Sequence, residues 1–178
     1  MILGILKESG TENRVAMLPG EVIVLKKMGI EVLVELHAGE KAFASDESYA
    51  AAGAVTAERK KVISKADLLL SVNPLLDEDI NDFREGQVLC SILNPSDNCQ
   101  WLESVREKGI TLLALDLVPR TTRAQSMDIL SSMATVAGYK AVLDAASRLP
   151  RFFPMFMSAA GTIKPAKVLV LGAGVAGL

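Results

Sequence analysis

Histidine occurs once and cysteine twice in this 178-residue chain. Cys90 and Cys99 do not stand at C-x-x-C spacing, so with a single histidine the ligand set of a zinc site is missing, and reduced thiols are the default. Long apolar runs are also missing. Stretches such as Phe152 to Ile163 end well short of the roughly 18 residues that span a bilayer, so no transmembrane segment is expected. No basic region precedes the short apolar run at Met1–Lys7, which therefore reads as a strand and not a signal peptide. Net charge is −2 with no basic block, which argues against nucleic acid as a partner. There is no internal repeat and no low-complexity segment. Half of the residues are apolar and mean hydropathy is +0.32, enough for one good core or for one domain and the start of another.

Apolar segments at Ile2–Leu6, Ile30–Leu36, Ala54–Val55, Leu68–Val72, Val88–Leu93 and Ile110–Leu115 alternate with helical stretches of about ten residues. Pro19-Gly20-Glu21 opens the first helix and Gly29 closes it. Ser45 and Thr56 are placed to cap the next two. Continuous apolar strands alternating with helices point to a parallel sheet covered on both faces, an α/β fold of flavodoxin-like or Rossmann-like type. Ligands of such sheets gather at the carboxyl ends of the strands. The polar loops Lys7–Arg14, Asn73-Pro74, Asn94–Asp97 and Pro119–Asp128 are therefore the expected site walls.

The stretch Pro119–Ser132 then leads into a long helix over about 124–149. Met127, Leu130, Ala134, Ala137 and Ala141 mark one apolar face, and Ile129, Met133 and Val136 widen it. Asp128, Ser131, Ser132 and Thr135 form a narrow polar stripe at helical spacing. A helix this apolar is expected to be buried, with the stripe turned to a cleft. Taken singly, each polar residue has an equally good local reading. Thr122 and Gln125 fit a capping box, Asp128 suits the positive end of a helix, and Ser131 and Thr135 can bond back to the preceding turn. Two guanidiniums, an amide and a carboxylate converge within nine positions (Arg120, Arg123, Gln125 and Asp128), and that clustering favours a ligand site.

After a break at Arg151–Pro154, the apolar run Val168–Leu171 meets Gly172-x-Gly174-x-x-Gly177. A strand followed by G-x-G-x-x-G is the dinucleotide fingerprint. Residues 1–150 are thus expected to form an N-terminal α/β domain ending in the long interdomain helix. Residues 151–178 would be a linker, then the first strand and glycine-rich turn of a truncated Rossmann domain.

Lys7-Glu8…Glu12-Asn13-Arg14-Val15-Ala16…Pro19 and Pro165-Ala166-Lys167-Val168 through the fingerprint resemble the family that holds alanine dehydrogenase and the α subunit of proton-translocating NAD(P) transhydrogenase. The resemblance runs over essentially the whole chain. In the alanine dehydrogenase branch a lysine of a Lys-Glu-Pro segment holds substrate and a histidine serves as acid/base. Val72-Asn73-Pro74 and Asn94 stand at the matching positions, and neither valine nor asparagine does that chemistry. The run from Arg120 through Arg123 to Ser132, and Phe153–Thr162, are similar to the transhydrogenase branch, at the N-terminal part of its α subunit.

That resemblance implies an oxidoreductase, part of the NAD(H)-binding component of a translocase that moves hydride between NAD(H) and NADP(H). It implies that Arg120, Asp128 and Ser131 hold the nicotinamide end of NAD(H). Gln125 would reach towards NADP(H) on a partner domain or subunit, and Gly172, Gly174 and Gly177 would seat the pyrophosphate. It also implies a homodimer, membrane and NADP(H)-binding partner components, and a peripheral place on the cytoplasmic side of the inner membrane. The fragment alone would be inactive. The alternatives are a non-catalytic domain acting as a scaffold and an alanine-type dehydrogenase with an altered site.

Overall fold

The computed structural model describes residues 1–178 and divides them into two compact units, Met1–Val118 and Pro119–Leu178. The first unit runs β1 (Ile2–Ile5), α1 (Pro19–Lys27), β2 (Glu31–Glu35), α2 (Asp46–Ala52), β3 (Val55–Ala57), α3 (Arg59–Lys65), β4 (Leu68–Leu70), β5 (Val88–Ser91), α4 (Cys99–Glu107) and β6 (Thr111–Ala114). Single 3-10 turns lie at Glu40–Ala42, Asp77–Asp82 and Leu115–Leu117.

All six strands pair in parallel, in the order β3-β2-β1-β4-β5-β6. Alternation along each strand sends side chains to two separate cores. Leu3 and Ile5 of β1 pack with Val32 and Val34 of β2, Val22 of α1 and Tyr49 of α2. Leu69 of β4 and Leu89 of β5 pack on the other face with Val62 and Ile63 of α3 and with Trp101 and Val105 of α4. The fold is therefore α/β, a parallel sheet with helices on both faces, as the alternating pattern requires. Gly4 lets α3 lie close against β1, because a Cβ there would come within 2.7 Å of Leu69 and 2.9 Å of Val62 and Ala66.

Local capping follows the sequence in part. Ser45 caps α2 by accepting from the Ser48 N–H at 3.3 Å. The residue at the N-cap of α3 is Glu58 rather than Thr56, and it makes no side-chain cap bond, so Thr56 pairs within β3 instead.

The second unit opens with a 3-10 turn, Gln125–Met127, and continues as α5 (Ile129–Arg148). The helix starts later than about 124 because Asp128 is its cap, accepting from the Ser131 N–H at 2.9 Å. An antiparallel hairpin of β7 (Phe156–Ser158) and β8 (Gly161–Ile163) follows. One expectation changes here, the burial of α5. No residue of α5 is buried, and Val136, Tyr139 and Val142 are all more than half exposed. Val168–Leu171 pairs with no strand, the state of a lone strand with no neighbour. Both have one physical cause: besides α5, this unit holds only a two-stranded hairpin and irregular chain, too little apolar surface to cover a helix of 20 residues or to flank another strand. No helix of the chain is long and apolar enough to cross a membrane.

Candidate functional site

The first turn of α5 gathers Asp128, Ser131 and Arg120. The Asp128 carboxylate accepts from the Ser131 N–H at 2.9 Å and from the Ser131 hydroxyl at 2.7 Å. The Ser131 N–H, and after it the hydroxyl, hold the Asp128 carboxyl below its ordinary range, and the charge of Arg120 adds to them. Asp128 is thus an ionised acceptor at neutral pH, placed at the positive end of a 20-residue helix. The Ser131 hydroxyl spends its proton on Asp128 and keeps its lone pairs. Ser132 and Thr135 instead donate to the backbone oxygens of Asp128 and Ser131, at 3.1 and 3.4 Å, and are therefore satisfied within the helix. The side chains of Arg120, Arg123 and Gln125 are exposed and engage no acceptor within the chain. Thr122 and Gln125 form no capping box, because the helix begins beyond them. The structure thus separates the polar residues around the helix start into a bonded cap, Asp128 and Ser131, and three long side chains with free donors.

Each glycine of the turn has its own steric setting. Gly172 adopts φ 108°, a conformation glycine takes without steric cost, and so makes the turn. A Cβ at Gly174 would meet nothing within 4 Å, which leaves that backbone open to approach. A Cβ at Gly177 would overlap the Gly172 carbonyl oxygen. The turn lies against α5, where a Cβ at Gly138 would overlap the Ala176 carbonyl oxygen. Gly138 stands two turns along the helix from Ser131, roughly 10 Å by the rise of an α-helix. One helix therefore carries a glycine turn with an open backbone and, two turns away, an ionised carboxylate with hydroxyl and guanidinium neighbours. The carboxylate and hydroxyl oxygens are acceptors for hydroxyl and amide donors such as those at the polar end of a nucleotide.

The loops at the carboxyl edge of the sheet are held by a second set of residues, most of them bonded to partners distant in the sequence. Glu8 accepts from the N–H groups of Val72 and Asn73 and from the Asn73 side-chain amide, at 2.6, 3.1 and 3.2 Å. Glu12 takes the Arg14 guanidinium in a bidentate grip at 2.9 and 2.7 Å. Arg14 in return holds the Glu12 carboxyl down from 4.5 to about 2. Asp116 accepts from the N–H groups of Leu93 and Asn94 at 2.8 and 3.0 Å. Arg59 binds Asp79, Glu35 and the Lys7 carbonyl oxygen. Neither Val72 nor Asn94 offers this edge a group that titrates near neutral pH.

Known proteins share this chain's pattern. Residues 4–137 match the alanine dehydrogenase/PNT N-terminal domain, and residues 141–178 match the alanine dehydrogenase/PNT C-terminal domain. The chain is 47% identical to NAD(P) transhydrogenase subunit alpha of Cereibacter sphaeroides over 168 residues, which is 94% of this chain and 32% of that protein. The crystal structure of transhydrogenase from Sinorhizobium meliloti superposes with a TM-score of 0.95 at 43% identity, over 99% of this chain and 53% of that one. An L-alanine dehydrogenase superposes with a TM-score of 0.86 at 28% identity, over 99% of this chain and 50% of that one. The chain spans less than half the length of the curated transhydrogenase subunits it matches. With a family model covering most of its length and close homology to the N-terminal part of NAD(P) transhydrogenase α subunits, the chain belongs to the alanine dehydrogenase/PNT family.

Proposed function

We propose that this chain is the N-terminal part of the NAD(H)-binding component of a transhydrogenase and serves hydride transfer between NAD(H) and NADP(H). The observation that carries the reading is the Arg120, Asp128 and Ser131 array. It offers charge, acceptors and a hydroxyl, and the bonds from Ser131 hold the Asp128 carboxyl below its ordinary range. NAD(H) supplies the hydride chemistry when bound. The residues of the chain orient and shield. Asp128 and Ser131 take the carboxamide and ribose side of the nicotinamide, and Arg120 closes the same side. Gln125, on the turn before α5, reaches towards the NADP(H) held by a partner domain or subunit. Gly172, Gly174 and Gly177 seat the pyrophosphate. The working assembly is a homodimer, peripheral on the cytoplasmic side of the membrane and docked on membrane and NADP(H)-binding components.

An alanine-type dehydrogenase must move a proton as well as a hydride, and Val72 and Asn94 supply no group for it. A scaffold without coenzyme has no use for a glycine turn whose backbone lies open at Gly174. The test is an assay of the complete subunit with its NADP(H)-binding partner. Transfer from NADPH to an NAD analogue is expected, with no oxidation of L-alanine by NAD. Alanine oxidation proportional to enzyme, without transfer between nicotinamides, would overturn the reading.

A further inference from the structure

The strand order β3-β2-β1-β4-β5-β6 reverses direction between β1 and β4. In open parallel sheets of this order a nucleotide enters the crevice at the carboxyl ends of the two strands flanking the reversal, where free backbone N–H groups receive its phosphates. Here that crevice contains Glu8. It stands three residues beyond β1, is 8% exposed, and takes the consecutive N–H groups of Val72 and Asn73 just beyond β4. The Asn73 side-chain amide closes on the same oxygen as the Asn73 N–H. Three donors converging on one carboxylate is the arrangement by which a protein holds an anionic ligand.

The next loop repeats the arrangement. Asn94, beyond β5, has φ 43°, which is left-handed for a residue that is not glycine. Successive N–H groups around such a residue turn to one side and form an anion-binding concavity. The Asp116 carboxylate, beyond β6, fills it with one oxygen on each N–H, Leu93 at 2.8 Å and Asn94 at 3.0 Å. The Lys7 N–H is taken in the same manner by Glu35, at 2.8 Å. The one guanidinium in the loop after β1, Arg14, is neutralised by Glu12.

We propose that Glu8 and Asp116 occupy two anion sites built from paired backbone amides at the carboxyl edge of the first unit, and that they are the residues that keep phosphate and small carboxylates off this edge. A ligand that reaches the edge does so with a neutral or cationic face. The first unit has the strand order of a dinucleotide-binding sheet, but its phosphate-type sites are already filled by its own side chains. This stands without the hydride-transfer reading, since it rests only on the geometry of the first unit.

The experiment follows the backbone amides of Val72, Asn73, Leu93 and Asn94 by ¹H–¹⁵N NMR in the 178-residue chain, with inorganic phosphate and, separately, acetate as probes at constant ionic strength. The parent chain is expected to show no saturable shift. Asp116→Ala should make the Leu93 and Asn94 amides respond saturably, and Glu8→Ala those of Val72 and Asn73, each with an apparent affinity at least about tenfold above the parent. Thermal melting establishes that each variant is folded. Asp116→Ser and Glu8→Ser replace the corresponding alanine variant if it is not. Saturable shifts of these amides in the parent would overturn the proposal, as would folded variants that bind neither anion better than the parent. No coenzyme enters the test, so its failure leaves the functional reading untouched.

Discussion

Arg59→Met is the substitution whose cost the structure defines best. The guanidinium donates to Asp79 through Nε at 2.7 Å and Nη2 at 2.6 Å, to Glu35 through Nη1 at 2.7 Å, and to the Lys7 carbonyl oxygen at 3.0 Å. Its partners are well covered, the Asp79 side chain being 5% exposed and that of Glu35 13%. Methionine keeps the apolar stem and removes every donor. Asp79 is then left with the Leu76 N–H and Glu35 with the Lys7 N–H. Stranding a buried carboxylate by removing its partner costs about 3–5 kcal/mol. Arg59 is about a quarter exposed and water can relieve part of the loss, so the lower end applies, about 3 kcal/mol. For a unit of this size that corresponds to a fall of roughly 10–15 °C in the melting temperature followed by far-UV circular dichroism. Adding Asp79→Asn to Arg59→Met removes the stranded charge and should recover about half of the fall. A fall below about 3 °C, or a double variant no more stable than the single one, would show that the network is solvated and refute the reasoning.

Glu12 gives a pH dependence. Its folded value, about 2, lies below its ordinary value of 4.5, so its stabilising grip on Arg14 is complete above about 4.5 and is lost as pH falls through about 2. The stability difference between parent and Glu12→Gln should shrink across that window, and a constant difference in acid unfolding curves would contradict it. Gly138→Val should push the Gly172–Leu178 turn off α5, moving the Gly174 and Gly177 amide resonances while the melting of Met1–Val118 stays as it was; unmoved resonances would sink the contact. The turn opens no helix in this chain, so the N–H array that grips a pyrophosphate is missing. NADH should therefore bind the 178-residue chain only in the millimolar range or more weakly, about 4 kcal/mol or less, and micromolar binding in calorimetry would contradict that.

Strand positions were legible because strands covered on both faces are largely apolar, as at Leu68-Leu69-Leu70 and Val88-Leu89-Cys90. The Ser45 cap was legible for a different reason: its bond spans three residues. The role of Glu8 was not, although the residue itself is prominent in the opening motif. Its partners are 64 and 65 residues away, and nothing local says that β4 lies beside β1. Asp116 and Arg59 are hidden for the same reason. At the start of α5 the sequence offers a Thr122–Gln125 capping box with Asp128 as a favourable charge, and only geometry makes Asp128 the cap instead. The hairpin Phe156–Ile163 escaped because each of its strands is three residues long. The exposure of α5 marks another limit: apolar spacing reports what a helix can bury and not what is there to cover it.

The central claim is that the first turn of α5 orients a nicotinamide, and Asp128→Asn tests it most directly. Asparagine is as good an N-cap as aspartate, so the helix should be retained while the charge is lost. In the complete subunit with its NADP(H)-binding partner, stopped-flow measurement of hydride transfer should show a rate lower by on the order of a hundredfold, the scale of a 1 Å misplacement of the reacting ring. Helix content and melting should match the parent. Transfer at the parent rate would mean that Asp128 and Ser131 only cap a helix, and the account of the site would be wrong.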